Sequence, residues 1–255
     1  MLTRAQLAAR ADALWQARPT AGPTLAEEVL QSRIARLPEL ARRYLCTSLG
    51  MDRPLPSAVR LAMHGQIRLG RWCPFVGEEV LTLSGALFWH ARTHYYSFPV
   101  LGYDSFSDGV GALDWRLLGM LPLARADGPD VARSAAGRAA AEAVWLPSRL
   151  AGPAVQWAQT EEGALLVRLP AGADIVPLRL VLDEEARLRE VSMMRWGNPE
   201  GGAFGWHPFG GRVTAWERFG GIRLPSRLEV GWLEADGTLG AGAFFRVTID
   251  DAVFG

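Results

Sequence analysis

From Ser57 onward the apolar residues stop recurring every three or four positions and begin to alternate with polar ones, the period of a β-strand with one buried face. In the first such stretch Val59, Leu61, Met63, Gly65, Ile67 and Leu69 fall on one side, and Arg60, His64, Gln66 and Arg68 on the other. Further strands are expected over 75–84, 86–98, 100–107 and 110–118, and then over 155–159, 164–169, 175–183, 188–196, 212–219, 222–233 and 239–249. Turns fall at Gly85, Gly102, Asp108-Gly109, Glu162-Gly163, Gly201-Gly202, Gly220-Gly221 and Asp236-Gly237, the last with the strongest hairpin signature. Short turns between consecutive strands require antiparallel pairing. About eleven or twelve strands exceed what a flat sheet holds, so a strongly curled sheet or half-barrel is expected.

One block breaks the alternation. Residues 130–150, DVARSAAGRAAAEAVWLPSRL, read as a helix over 130–146, with Asp127 or Asp130 as its cap and Pro147 closing it. Its alanines and Gly137 allow it to lie close on a sheet. Ser134, Arg138 and Glu142 share one face at i, i+4 and i+8, with Arg133 and Gly137 beside it. Facing water, that stripe is an ordinary ion pair. Facing the sheet, a desolvated glutamate beside an arginine can bind a polar head group or act as acid or base.

Ahead of the sheet, helices are expected from Thr3 to about Ala17, stopped near Pro19, from a cap at Thr24 to Pro38, and over 40–49. The expected fold is therefore α+β and mostly β: a large curved antiparallel sheet with a central inserted helix and N-terminal helices. Residues 1–50 form the helical segment and 51–255 the sheet domain.

Composition excludes several functions. With 27 basic and 27 acidic residues there is no net field to attract nucleic acid or an anionic membrane. All the basic residues are arginine, so Schiff-base chemistry, pyridoxal-phosphate attachment and a phosphate-loop lysine lack their amine. Cys46 and Cys73 build no disulfide framework and lack zinc-ligand spacing. No run approaches the ~20 apolar residues of a membrane span, and charges interrupt the start where a signal peptide is apolar, which reads as cytoplasmic. No cofactor or metal is implied, and the oligomeric state stays open.

The segment 193–221 is the densest in aromatic, glycine and polar residues and reads as a long loop followed by a strand. Trp196, Phe204, Trp206, Phe209 and Trp216 could line a pocket there, with Arg195, His207 and Glu217 as its polar groups. His207 could serve as a general base oriented by Glu217. Asp104 and Asp114 flank a turn and would approach if their strands pair, sharing a proton. His90 and His94, on one strand, stand about 13 Å apart at ~3.3 Å per residue, too far to share a metal. No GxSxG, HExxH, GxGxxG or CxxC motif occurs.

MHGQI at 63, RWCPF at 71, GALFWHA at 85, GYDSF at 102, RSAAGRAAAEAVWLPS, RWG, HPFGG and GGIRLPS together resemble a bacterial family of unknown function over approximately 44–255. The strand-rich outline is similar to the half-barrels of the LolA and LolB lipoprotein carriers, whose concave face holds acyl chains. This similarity of shape implies binding of an apolar or amphipathic, lipid-like small molecule. The alternative is an enzyme of unassigned class that gathers Glu142, Arg138, Asp104 and His207 in one cavity.

Overall fold

The computed structural model describes residues 1–18, 27–50, 54–199 and 201–255, and the backbone alone of 27–30. The Thr24 cap and the Pro19 stop lie outside these residues. Three helices come first: α1 (Arg4–Gln16), α2 (Glu27–Ala35) and α3 (Glu39–Leu49). Thr3 caps α1 in a reciprocal box with Gln6.

Six strands follow: β1 (Ala58–Leu69), β2 (Arg71–Thr82), β3 (Leu87–Tyr95), β4 (Phe98–Ser107), β5 (Val110–Leu117) and β6 (Leu121–Asp127). Helices α4 (Pro129–Ala141) and α5 (Pro147–Leu150) come next, joined by a 3₁₀ turn over Glu142–Trp145. Seven more strands complete the chain: β7 (Gln156–Gln159), β8 (Leu165–Ala171), β9 (Asp174–Leu182), β10 (Leu188–Gly197), β11 (Gly205–Phe219), β12 (Ile222–Trp232) and β13 (Ala243–Phe254).

The thirteen strands of the described residues form one antiparallel sheet in the order β6-β5-β4-β3-β2-β1-β13-β12-β11-β10-β9-β8-β7. The chain thus enters at the middle, meanders out to one edge, crosses to the opposite edge, and meanders back until β13 pairs with β1. The crossing segment is α4 to α5. Laid flat, twelve inter-strand spacings would separate β6 from β7 by roughly 58 Å at ~4.8 Å each. A helix as long as α4 spans only about 20 Å at ~1.5 Å per residue. The sheet must therefore curl for the connection to close, and α4 touches both halves of the trough, β4, β5 and β6 on one side and β8, β9 and β10 on the other.

The face under α4 holds the main core, in which Leu61, Leu87, Leu165, Leu178 and Leu224 meet Ala136, Ala139 and Ala140 of the helix. Helix α3 adds Tyr44, Leu45 and Leu49 to this core. Helix α1 lies on the outer face, where Leu7 and Ala11 pack against Val80 and Phe88. Helix and sheet approach closely at Gly111, where a Cβ would stand 2.6 Å from the Cα of Ala132. At Gly137 a Cβ would meet only ordinary contacts, so the helix does not need its own glycine to dock.

Several expectations change. Strand β6 was absent from the alternation pattern because it is an edge strand exposed on nearly every residue, and Pro122 is tolerated there. Residues 205–211, expected to be loop, belong to β11, since Gly210 pairs with Gly231 and a Cβ on it would lie 2.7 Å from the carbonyl of Val191. Gly102 is not a turn residue. It sits inside β4, opposite Trp115, whose indole lies over it. Neither Asp127 nor Asp130 caps α4: Gly128 holds that position with Pro129 at N1, and Asp130 accepts from the Trp196 indole at 2.8 Å. Pro147 opens α5 instead of ending the helix, which stops at Ala141.

Candidate functional site

Strand register sets a row of side chains across the concave face: Leu61 lies opposite Glu79, Glu79 opposite Trp89, Trp89 opposite Asp104, and Asp104 opposite Leu113. Arg138 descends from α4 onto this row. Its guanidinium carbon stands 4.8 Å from the Trp89 ring centroid. Its Nη1 donates to Asp104 Oδ2 at 2.7 Å, Nη2 to Glu79 Oε1 at 3.2 Å, and Nε to Glu142 Oε1 at 2.8 Å. One cation thus binds three carboxyl groups from β2, β4 and the end of α4. Asp104 Oδ1 also accepts from the Trp115 indole at 2.8 Å.

Three carboxylates against one guanidinium leave two negative charges in excess, which a single proton halves. Glu79 is fully buried, and burial first, then the charge of Glu142, pushes its pKa well above the ordinary value against the pull of Arg138. The Oε2 atoms of Glu79 and Glu142 are both buried without a hydrogen-bond partner, as expected if a proton is held there. Burial alone would lower the pKa of Arg138; Glu142, Glu79 and Asp104, in that order, overcome it and hold the pKa above its usual value.

Beside the cluster lies a cavity of about 250 Å³. Asp104, Arg138, Glu142 and Arg195 form its polar end, and Ile67, Trp145, Val191, Phe209, Leu228, Trp232 and Phe245 are among its apolar walls. The walls are fixed: the Trp145 indole donates to the carbonyl of Pro225 at 3.0 Å, and Phe209 meets Trp232 edge to face at 5.3 Å. Just behind, buried Arg149 donates to the carbonyls of Ala139 at 2.5 Å and Pro170 at 3.1 Å, tying α4 and α5 to β8. Desolvation lowers the Arg149 pKa to about 10.

Of the residues singled out from sequence, Arg138, Glu142, Asp104 and Arg195 meet at this cavity, together with Phe209. The others lie elsewhere. Arg133 pairs with Asp174 at 3.2 Å and stacks on Trp196 at 5.3 Å. Trp196 and Trp206 face each other across β10 and β11, and Trp206 is exposed, because alternation gives Arg195 and Phe209 the inner face. Trp216 donates to the carbonyl of Leu188 at 2.8 Å under Arg187.

His207 lines a second hollow of about 590 Å³ with Arg68, Pro208 and Trp232, wider than the first but open to solvent. The first cavity, less open and more apolar, is the better ligand site. Glu217 is exposed and ten residues along β11 from His207, roughly 33 Å at ~3.3 Å per residue, so it does not orient that ring. Asp104 and Asp114 do not pair: Asp114 sits opposite Tyr103, which puts it on the outer face, where Arg116 holds it at 2.7 Å. His90 lies 3.7 Å from Glu78 on the outer face.

Sequence reasoning missed Glu79, Trp89, Trp145, Trp232 and Phe245. For Glu79 a signal was present, because Cys73, Phe75, Gly77, Glu79 and Leu81 share the apolar parity of β2.

A family described as a family of unknown function, DUF6544, matches residues 27–244. The chain belongs to that family. No curated protein matches. Among solved structures, a Vibrio parahaemolyticus domain described as an outer membrane lipoprotein-sorting protein is similar to this chain at 11% identity and a TM-score of 0.39, covering 89% of this chain and 91% of its own. A LolA superfamily protein from Nitrosomonas europaea is similar at 11% identity and a TM-score of 0.38, covering 89% and 93%. Among the described residues of this DUF6544 member, no helix is long and apolar enough to cross a membrane.

Proposed function

We propose that this DUF6544 chain binds an apolar or amphipathic small molecule between α4 and the concave face of its sheet. The observation that carries this reading is the partly open cavity with apolar walls and one polar end. Its size limits the occupant. At about 30 Å³ per water, some 250 Å³ equals roughly eight waters, the scale of a compact ligand or one short alkyl chain.

Binding is favoured over catalysis by the partners the carboxyl groups already have. Arg138 bonds all three, and Trp115 takes the remaining oxygen of Asp104. His207, the general base that the enzyme alternative needs, lines the other hollow.

The test is extraction of the purified protein followed by mass spectrometry, together with titration of a neutral fluorescent probe such as N-phenyl-1-naphthylamine. A co-purifying amphiphile, or saturable probe binding displaced by short alkyl compounds, is expected. An empty extract with no saturable binding would rule the reading out.

A further inference from the structure

Given that reading of the cavity, we infer that its ligand is an anionic amphiphile whose carboxylate head group docks on the guanidinium of Arg195. The inference comes from a group-by-group account of the polar end. Each acidic group there already answers to a cation: Asp104 accepts from Trp115 and Arg138, Glu142 and Glu79 each accept from Arg138 through Oε1, and their Oε2 atoms are buried without a donor, beside a Glu79 whose pKa is raised toward the neutral acid. Arg138 is equally committed, with Nε, Nη1 and Nη2 each donating to a different carboxyl group. A cationic head group would have to compete with Arg138 for carboxyl groups that it already holds.

Arg195 is the exception. Its Nε reaches the carbonyl of Ser134 at 3.3 Å and its Nη2 the Ser134 hydroxyl at 3.4 Å, both at the long end of hydrogen bonding. Among the described residues it makes no ion pair with a carboxylate. Desolvation first, and then repulsion from Arg138, lower its pKa to about 10 against the weaker attraction of Glu142 and Asp104, neither of which bonds it directly. A carboxylate would supply that charge through a two-pronged, charge-assisted contact suited to the planar guanidinium.

The surroundings define the other half of the ligand. The Arg195 guanidinium stands 4.7 Å from the Phe209 ring and 5.7 Å from Trp232, so its donors lie where the polar end meets the aromatic wall. A head group held there directs its tail toward Val191, Leu228 and Phe245.

Octanoate, 1-octanol and octylamine share one alkyl body and differ in head-group charge. Each is titrated at pH 7.5 against bound N-phenyl-1-naphthylamine, a neutral probe that favours none of the three. Octanoate is expected to displace the probe with an apparent Kd about tenfold or more below the other two, the scale of a charge-assisted bond. In Arg195→Gln the preference should shrink to about threefold or less, while Arg195→Lys keeps part of it and Arg133→Gln, outside the cavity, keeps all of it.

If octanol or octylamine equals octanoate in the wild type, or if Arg195→Gln retains the full preference, the inference fails and the binding reading stands. Should none of the three displace the probe, the inference fails, and the binding reading is decided by the extract and by saturable probe binding. If Arg195→Gln does not fold, the wild-type ranking and the Arg195→Lys and Arg133→Gln comparisons still decide.

Discussion

Glu78 and Glu79 are neighbours on β2, point to opposite faces of the sheet, and are shifted in opposite directions. Glu78, on the outer face, is drawn down to about 2 by His90 and by Arg60, with desolvation opposing them. At 3.7 Å the His90 contact is electrostatic, and Arg60 at 2.8 Å is the hydrogen-bond partner. Glu79, on the inner face, is driven upward by burial and by Glu142. Alternation alone separates these environments by one residue.

This pair predicts two limbs in the pH dependence of stability. Folded Glu79 keeps a proton that the unfolded chain releases above the ordinary glutamate value of 4.5, so its contribution is intact below that pH and is lost as pH rises toward its raised pKa. Glu78 acts the other way: its contribution is present above 4.5 and is lost as pH falls toward 2. In urea unfolding from pH 3 to 9, Glu79→Gln should flatten the upper limb and leave the acid limb alone. Glu78→Gln should do the reverse. An upper limb unchanged in Glu79→Gln would refute the protonated assignment.

Arg138 is predicted to be the most sensitive polar residue in the fold. Removing it as Arg138→Met leaves Glu79, Asp104 and Glu142 facing one another in a desolvated site, a loss of about 3–5 kcal/mol by analogy with broken buried ion pairs. Glu142→Gln should cost less, because the amide oxygen still accepts from Nε and its NH₂ can donate to Glu79. Chemical denaturation ranks the two, and equal losses would contradict the central role of Arg138.

Much of this was legible before the structure, and what was not has a common cause. Period-2 alternation located twelve of the strands, and helical spacing put Arg138 and Glu142 on one face of α4. Both are local patterns. The partners that give those side chains their meaning are not local: Glu79, Trp89 and Asp104 form a row only through the register of β2, β3 and β4. The segment 193–221 pointed correctly to a pocket by composition, but its aromatic residues are divided by strand parity. Phe209 faces the cavity while Trp206 faces out, and glycines at 210 and 211 disguised the strand that divides them.

Gly102 should prove essential to the Asp104 side of the cluster. A Cβ there would fall 2.2 Å from Trp115 Cδ2, so Gly102→Ala must displace the indole that donates to Asp104. The expected loss is about 1–3 kcal/mol of stability, with a change in the near-ultraviolet circular dichroism of the tryptophans. Trp115→Phe removes only the hydrogen bond and should cost about 1 kcal/mol. If Gly102→Ala is the milder of the two, the close packing at this position is not what holds Asp104.

Cavity volume and stability should separate in two further variants. Ala141, at the end of α4, lines the cavity, and Ala141→Phe would place a ring in the 250 Å³ space where the ligand is proposed to sit. Probe binding should fall about tenfold or more with a loss of stability no greater than the ~1–3 kcal/mol typical of overpacking. Leu228, buried on the opposite wall, offers the converse: Leu228→Ala enlarges the space, should cost about 2–5 kcal/mol, and should leave the probe bound. Denaturation curves and probe titrations on the same samples measure both. Binding that followed stability in the two variants, and not the room left between α4 and β12, would mean that the probe reports exposed core and not this cavity.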